Sequence, residues 1–186
     1  MLTADDALDP RPRRILVAGV SGVGKTTTAR RIADVLGVPH TEIDALFHGP
    51  DWEPRATFVD DVDRFTSEPA WVTEWMYAPV RELLVERADT LVWVDLPTRV
   101  ALWRLLRRTL RRRLRRLELW NGNVEPSLWT FFTDREHILR WGISTRNKFR
   151  ERVPPLERSA PHLRIVHLRS QREVDVFVER LARPAV

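Results

Sequence analysis

Short apolar runs alternate with helical periodicities along the 186 residues of this chain. Arg14 to Gly19 (RILVAG) is a short apolar run closed by glycine, the pattern of a strand buried on both faces of a parallel sheet. From Lys25 the period changes. Ala29, Ile32, Ala33 and Leu36 recur at i, i+3, i+4 and i+7, and Gly37 follows as a left-handed cap. Val38 to Asp44 reads as a second strand, and Arg55 to Thr66 as a helix behind the loop marked by Gly49, Pro50 and Pro54. Trp71 to Thr73 begins a third strand, Pro79 to Arg87 is helical, and Thr90 to Asp95 (TLVWVD) is the clearest buried strand. Pro97 suits the first turn of a long arginine-rich helix reaching Leu117. Asn121 to Pro126 breaks that helix, and Phe132 to Arg150 returns to helical spacing. Leu163 to Leu168 makes a fifth strand and Gln171 to Leu181 a closing helix.

Strands alternating with helices predict an α/β fold, a parallel sheet covered on both faces. Residues 1–13 are polar and proline-punctuated, the pattern of a loose tail, and 14–186 form a single domain. In such sheets ligands bind beyond the carboxyl ends of the strands. The places to look are therefore the 19–26 loop, Asp44, Glu74, Asp95 and Arg169.

The first of these is the most informative. Gly19-Val20-Ser21-Gly22-Val23-Gly24-Lys25-Thr26 is a complete Walker A pattern, with a predicted strand before it and a helix after it. Its glycines let backbone N–H groups turn inward around a phosphate chain, and the helix N-terminus adds positive field. Lys25 is expected to neutralise the β and γ phosphates, Thr26 to serve Mg²⁺, and Thr27 to complete the nucleotide contacts. GTPases read guanine with Asn-Lys-x-Asp. The only similar string here, Asn147-Lys148-Phe149-Arg150, ends in the wrong charge.

Two strand-end carboxylates complete the expected centre. Asp95 ends TLVWVD as a magnesium-holding carboxylate would, or else caps the helix that follows. Asp44 ends the second predicted strand, where it would orient or deprotonate an acceptor, and Glu74 is the weaker third candidate. In the arginine helix, Leu102, Leu105, Leu106, Leu110, Leu114 and Leu117 face inward, while Arg104, Arg108, Arg111 and Arg115 line the opposite side. That stripe is about 16 Å long at 1.5 Å per residue, too long to surround one phosphoryl group. Arg104 and Arg108 are the expected catalytic pair. Arg112, Arg113 and Arg116 read as solvated surface.

Charge and composition change this picture little. The chain has 31 basic and 26 acidic residues, a net of +5, and only Lys25 and Lys148 are lysine. A nucleic-acid-associated ATPase gripping DNA or RNA through the arginine stripe is the rival reading, and a kinase acting on a macromolecule a third. Against the first, the residues interleaved with the arginines are leucines, with no aromatic platform for bases. The absence of cysteine excludes disulfides and thiolate metal sites. No run approaches a membrane span and the N-terminus lacks a secretory signal, so the expected location is cytoplasmic.

Together these residues resemble the small P-loop kinases related to adenylate kinase and shikimate kinase. They are most similar to the bacterial group of DNA topology modulation, or adenylate-kinase-like, proteins. The resemblance runs from Gly19–Thr26 through Ile43-Asp44 with Leu46, Pro50 and Trp52, then Trp71 to Tyr77, then Asp95-Leu96-Pro97 with Arg104 and Arg108. It implies a P-loop three-layer sandwich with a five-stranded parallel sheet of order 2-3-1-4-5 and an arginine-rich lid at about 117–131. It also implies ATP with Mg²⁺ and phosphoryl transfer to an acceptor, with Arg169 beside the nucleotide. Glu42, His48 and Glu74-Trp75 depart from the group's pattern, and Trp75 either fills the space that a glycine would leave for the acceptor or supplies a stacking face.

Overall fold

A computed structural model describes residues 1–114, 121, 123 and 147–183. Four strands, β1 (Arg14–Ala18), β2 (Trp71–Glu74), β3 (Thr90–Val94) and β4 (Arg164–Leu168), form one parallel sheet in the order β2-β1-β3-β4. Alternate residues of each strand supply two separate cores, as the period-2 pleat requires. Ile15, Val17, Val92, Val94 and Val166 pack against helices α1 (Lys25–Leu36) and α8 (Gln171–Ala182). Leu16, Ala18, Trp71, Leu91 and Ile165 face the other way. They pack against Ile43 of α2 (Ile43–Phe47), Val62 of α3 (Phe58–Thr66), Leu84 of α4 (Arg81–Arg87) and Phe149 of α6 (Lys148–Arg152). The result is the three-layer sandwich predicted. α5 (Thr98–Leu114) follows β3, and α7 (Leu156–Ser159) precedes β4.

The sheet has four strands and not the five expected, because Val38 to Asp44 is not a strand. Its pairing with β2 stops at an isolated bridge between His40 and Val72, where Val72 N–H donates to Pro39 and Thr41 N–H to Val72. Pro39 has no N–H to extend the ladder, and the Ile43 N–H turns instead to the Glu74 carboxylate, 3.3 Å away. The chain then coils into α2 with Asp44 in its first turn. The expected order 2-3-1-4-5 thus survives without its edge member.

The N-terminal segment, expected as a loose tail, makes specific contacts. Leu2 bridges Val166 along the free edge of β4, Ala4 is buried, and Arg11 donates to the Leu181 carbonyl at 2.7 Å. The Met1 ammonium pairs with Glu157. The expected lid at 117–131 lies outside the described residues except for Asn121 and Asn123, as do Arg115, Arg116 and most of the helix expected from Phe132.

Candidate functional site

β1 delivers the chain into the 19–26 loop, and three glycines there take positive φ: Gly19 at 152°, Gly22 at 90° and Gly24 at 97°. Gly22 is the tightest. A Cβ on it would stand 2.1 Å from the Ala101 carbonyl oxygen of α5, so only glycine lets that helix press on the loop. Gly24 caps α1 with no side chain, which leaves the first-turn N–H groups to a ligand. Lys25 curls over the loop and donates to the Val20 carbonyl at 3.4 Å. Burial pushes its ammonium down to about 8, opposed by the carboxylates of Asp44 and Glu74 and aided by Arg108 and Lys148. Within the loop, Val23 is buried, Ser21 half-buried and Thr27 exposed.

The three strand-end carboxylates separate clearly. Glu74 is 2% exposed. Burial raises its pKa, but the nearby His40 imidazole and Thr26 hydroxyl, together with the Ile43 N–H, outweigh that and leave the carboxyl below its ordinary value. His40 Nε2 stands 3.6 Å from Oε1, too far for a hydrogen bond, so Oε1 is buried with no hydrogen-bond partner. Asp95 lies in a different environment. Its carboxylate receives Arg150 Nε at 3.1 Å and His167 Nε2 at 3.3 Å, and the His167 ring is stacked on Trp93 with centroids 3.9 Å apart. Arg169, exposed at the end of β4, donates to His167 Nδ1 at 3.4 Å and so leaves Nε2 as the proton-bearing nitrogen.

Asp44 is half-buried and accepts a 2.6 Å hydrogen bond from the Tyr77 hydroxyl, which also meets His48 Nε2 at 3.1 Å. Tyr77 has φ 56° and ψ 119°, a conformation that costs a non-glycine residue roughly 1–3 kcal/mol. Its ring is stacked on Phe47 at 3.9 Å and edge-on to Phe58 at 5.3 Å, contacts that hold it there. Nearby, Trp75 fills the space beside β2, with its indole N–H on the Arg81 carbonyl at 3.3 Å and its ring 6.0 Å from Phe149.

The two candidate arginines of α5 are unlike. Arg104 places both terminal nitrogens 3.0 Å from Gln171 Oε1, and one of them 3.4 Å from the Val23 carbonyl, so it braces the loop against α8. Arg108 lies near enough to Lys25 to depress it. The structure therefore brings together the loop, Lys25, Thr26, Asp44, Glu74 and Arg108. Asp95 and Arg169 both engage His167. Sequence reasoning missed Tyr77, His48 and the basic group Arg81, Lys148 and Arg152. Burial, followed by mutual repulsion, lowers the pKa of Arg81 and of Lys148. Only the helical spacing of Lys148 and Arg152 could have signalled any of these.

No protein-family model matches the chain. A gluconokinase from Sinorhizobium meliloti superposes with a TM-score of 0.51 at 22% identity, covering 92% of this chain and 94% of that one. A shikimate kinase from Acinetobacter baumannii, solved with shikimate, gives 0.55 at 17%, covering 91% and 90%. These likenesses show the fold, an α/β fold of the P-loop kinase type. Sequence matches are local. The cytidylate kinase of Nitratidesulfovibrio vulgaris is 47% identical over 38 residues, 20% of this chain and 16% of that protein. The HslU ATPase subunit of a Lactobacillus delbrueckii protease is 46% identical over 44 residues, 24% of this chain and 10% of that protein. The chain thus matches less than a fifth of the length of either curated relative. Proteins of unlike activity share such stretches, so the stretches do not choose a reaction.

Proposed function

We propose that the protein is an ATP-dependent phosphotransferase acting on a small-molecule acceptor. One observation carries the reading: Lys25 and Thr26 of the phosphate loop meet two carboxylates, Glu74 and Asp44, that arrive on separate elements. A simple nucleotide-binding loop has no need of a second carboxylate. A kinase does, for the acceptor. The loop amides and Lys25 would hold the β and γ phosphates, with Arg108 neutralising charge as it shifts in the transition state and Arg104 bracing the loop. Asp44 would take the acceptor's hydroxyl proton as the new O–P bond forms and the bond to the departing ADP breaks.

The residues fit Mg²⁺. Glu74 presents a buried carboxylate oxygen without a hydrogen-bond partner, next to the Thr26 hydroxyl. Among the described residues no three acidic or histidine side chains cluster as a closed cage, which suits an ion shared with substrate phosphates. When bound, the ion supplies positive charge to the transferred group. We assign that place to Thr26 and Glu74 in preference to Asp95, whose carboxylate is engaged by Arg150 and His167.

Arg81, Lys148 and Arg152 repel one another beside Trp75, which favours an acceptor carrying a carboxylate or phosphate. A cytoplasmic setting follows from the need for ATP, and no described helix is long and apolar enough to cross a membrane. The narrower kinship with the DNA topology modulation group rests on the sequence resemblance alone, from Gly19–Thr26 through Ile43-Asp44, Leu46, Pro50, Trp52 and Trp71 to Tyr77 to Asp95-Leu96-Pro97 with Arg104 and Arg108. The test is incubation with γ-labelled ATP and Mg²⁺ against sugar acids, hydroxy acids, nucleoside monophosphates, nucleosides and neutral sugars. Transfer to an anionic acceptor is expected. Transfer to none of them, with or without ATP binding, overturns the reading.

A further inference from the structure

Asp44, the proposed proton acceptor, does not stand alone. A carboxylate only accepts hydrogen bonds, so the 2.6 Å contact uses the single proton of the Tyr77 hydroxyl. That oxygen must then accept from His48 Nε2, 3.1 Å away, which makes the imidazole a donor at that nitrogen. A directed chain results, from His48 to Tyr77 to Asp44 Oδ1. Among the described residues no hydrogen bond reaches Asp44 Oδ2, which is left for an acceptor.

Three further observations set this chain apart from an ordinary surface tyrosine. The Tyr77 backbone is held at φ 56°, a region that favours glycine. The ring is fixed by Phe47 and Phe58, and His48 is fixed in turn by an edge contact with Trp52 at 5.1 Å. Strain retained by surrounding packing, and ending in a hydroxyl aimed at a reactive carboxylate, is the pattern of a pre-organised site. Of the titratable groups, Lys25 and His48 face Asp44, and the Glu74 carboxylate lies near Lys25 and Tyr77.

We propose that Tyr77 is a positioning residue for phosphoryl transfer: backed by His48, it holds the Asp44 carboxylate in one orientation with Oδ2 turned to the acceptor hydroxyl. The inference rests on the reading of Asp44 given above. Burial, the Asp44 charge and the hydrogen bond all push the Tyr77 phenol far above its ordinary value, so it keeps its proton throughout the working range.

The test is a double-mutant cycle on kcat with the best acceptor from the panel, using Tyr77→Phe, Asp44→Asn and the pair. Tyr77→Phe should lower kcat by about 10- to 100-fold with KM for ATP unchanged. In the Asp44→Asn background it should cause no further loss, because the group it acts through is gone. Additive losses, undiminished turnover, or equal loss of ATP affinity overturns the proposal. Should Tyr77→Phe melt several degrees lower, His48 answers the same question. His48→Gln keeps a donor and should retain kcat within about threefold, whereas His48→Leu should lose it. Equal behaviour of those two overturns the proposal as well. A wild-type protein that binds ATP but phosphorylates no acceptor overturns the function itself. Turnover with a silent Tyr77→Phe overturns only this step.

Discussion

Lys25 makes the site measurable without a substrate. Its pKa, about 10.5 in an unfolded chain, is pushed down to about 8 by burial. Between those values the unfolded chain binds the proton and the folded one does not, so stability rises as pH goes from about 8 to 10.5 and is lost on the way down. The nucleotide-free protein should therefore gain melting temperature across that window relative to Lys25→Met, which also removes phosphotransfer. A constant difference between the two proteins would show that the ammonium is not desolvated. The carboxylates give a second comparison. Glu74→Gln should weaken Mg²⁺ dependence or turnover by about 10- to 100-fold, read by metal titration. Asp95→Asn should leave the metal requirement alone while lowering the melting temperature, since Arg150 and His167 lose their partner. If Asp95→Asn is the variant that shifts the metal titration, the magnesium assignment fails. The sequence favours Asp95, at the end of TLVWVD, over Glu74 for the metal. Both end strands that flank β1, one on each side, and the contacts beyond the strands distinguish them.

At the scale of elements, the phosphate loop works because α5 presses on it. Gly22→Ala would drive a Cβ into the Ala101 carbonyl at 2.1 Å and toward Leu105 at 3.0 Å, at a φ of +90°. The loss should be about 1–3 kcal/mol together with ATP binding, read by thermal shift with and without nucleotide. Gly37→Ala is the control. Nothing stands within 4 Å of its Cβ, so it should cost only the left-handed conformation, about 1 kcal/mol, with ATP binding intact. Equal effects at both positions would refute the packing argument. The arginines of α5 should divide likewise. Arg108→Ala is expected to lower kcat by about 10²- to 10³-fold, with partial rescue by lysine, and Arg104→Ala to weaken ATP binding and stability instead. The strands, the loop and these helices were legible because burial on both faces leaves continuous apolar runs and the loop has a fixed spacing. The edge segment Val38 to Asp44 was not, since its pairing ends where Pro39 lacks a donor and Glu74 captures the Ile43 N–H. Tyr77 was not either: its role depends on a fold that brings it 2.6 Å from a residue 33 positions away.

At the scale of the whole molecule, several arginines among the described residues are already engaged by carboxylates. Arg31 is paired with Asp175 at 2.6 Å, Arg55 and Arg64 with Asp61, Arg87 with Asp63 and Arg150 with Asp95. Arg164 adds Asp89 and a backbone carbonyl of the N-terminal segment. Arg104, on the helix that looked most like a phosphate-gripping stripe, is bound to Gln171 and the loop instead. A guanidinium already matched to a carboxylate releases few counterions on meeting a polyanion. Duplex DNA should then bind weakly, with log K falling against log salt no more steeply than about −2.7, the value for three phosphates, and binding should vanish near physiological salt. Phosphotransfer should respond far less to the same salt range, because Lys25, Glu74 and Asp44 act at short range in a partly buried site that added salt screens poorly. The two titrations can be run on one preparation. Tight duplex binding that persists at physiological salt, without transfer to any acceptor, would reject the small-molecule kinase and leave a nucleic-acid-associated ATPase in its place.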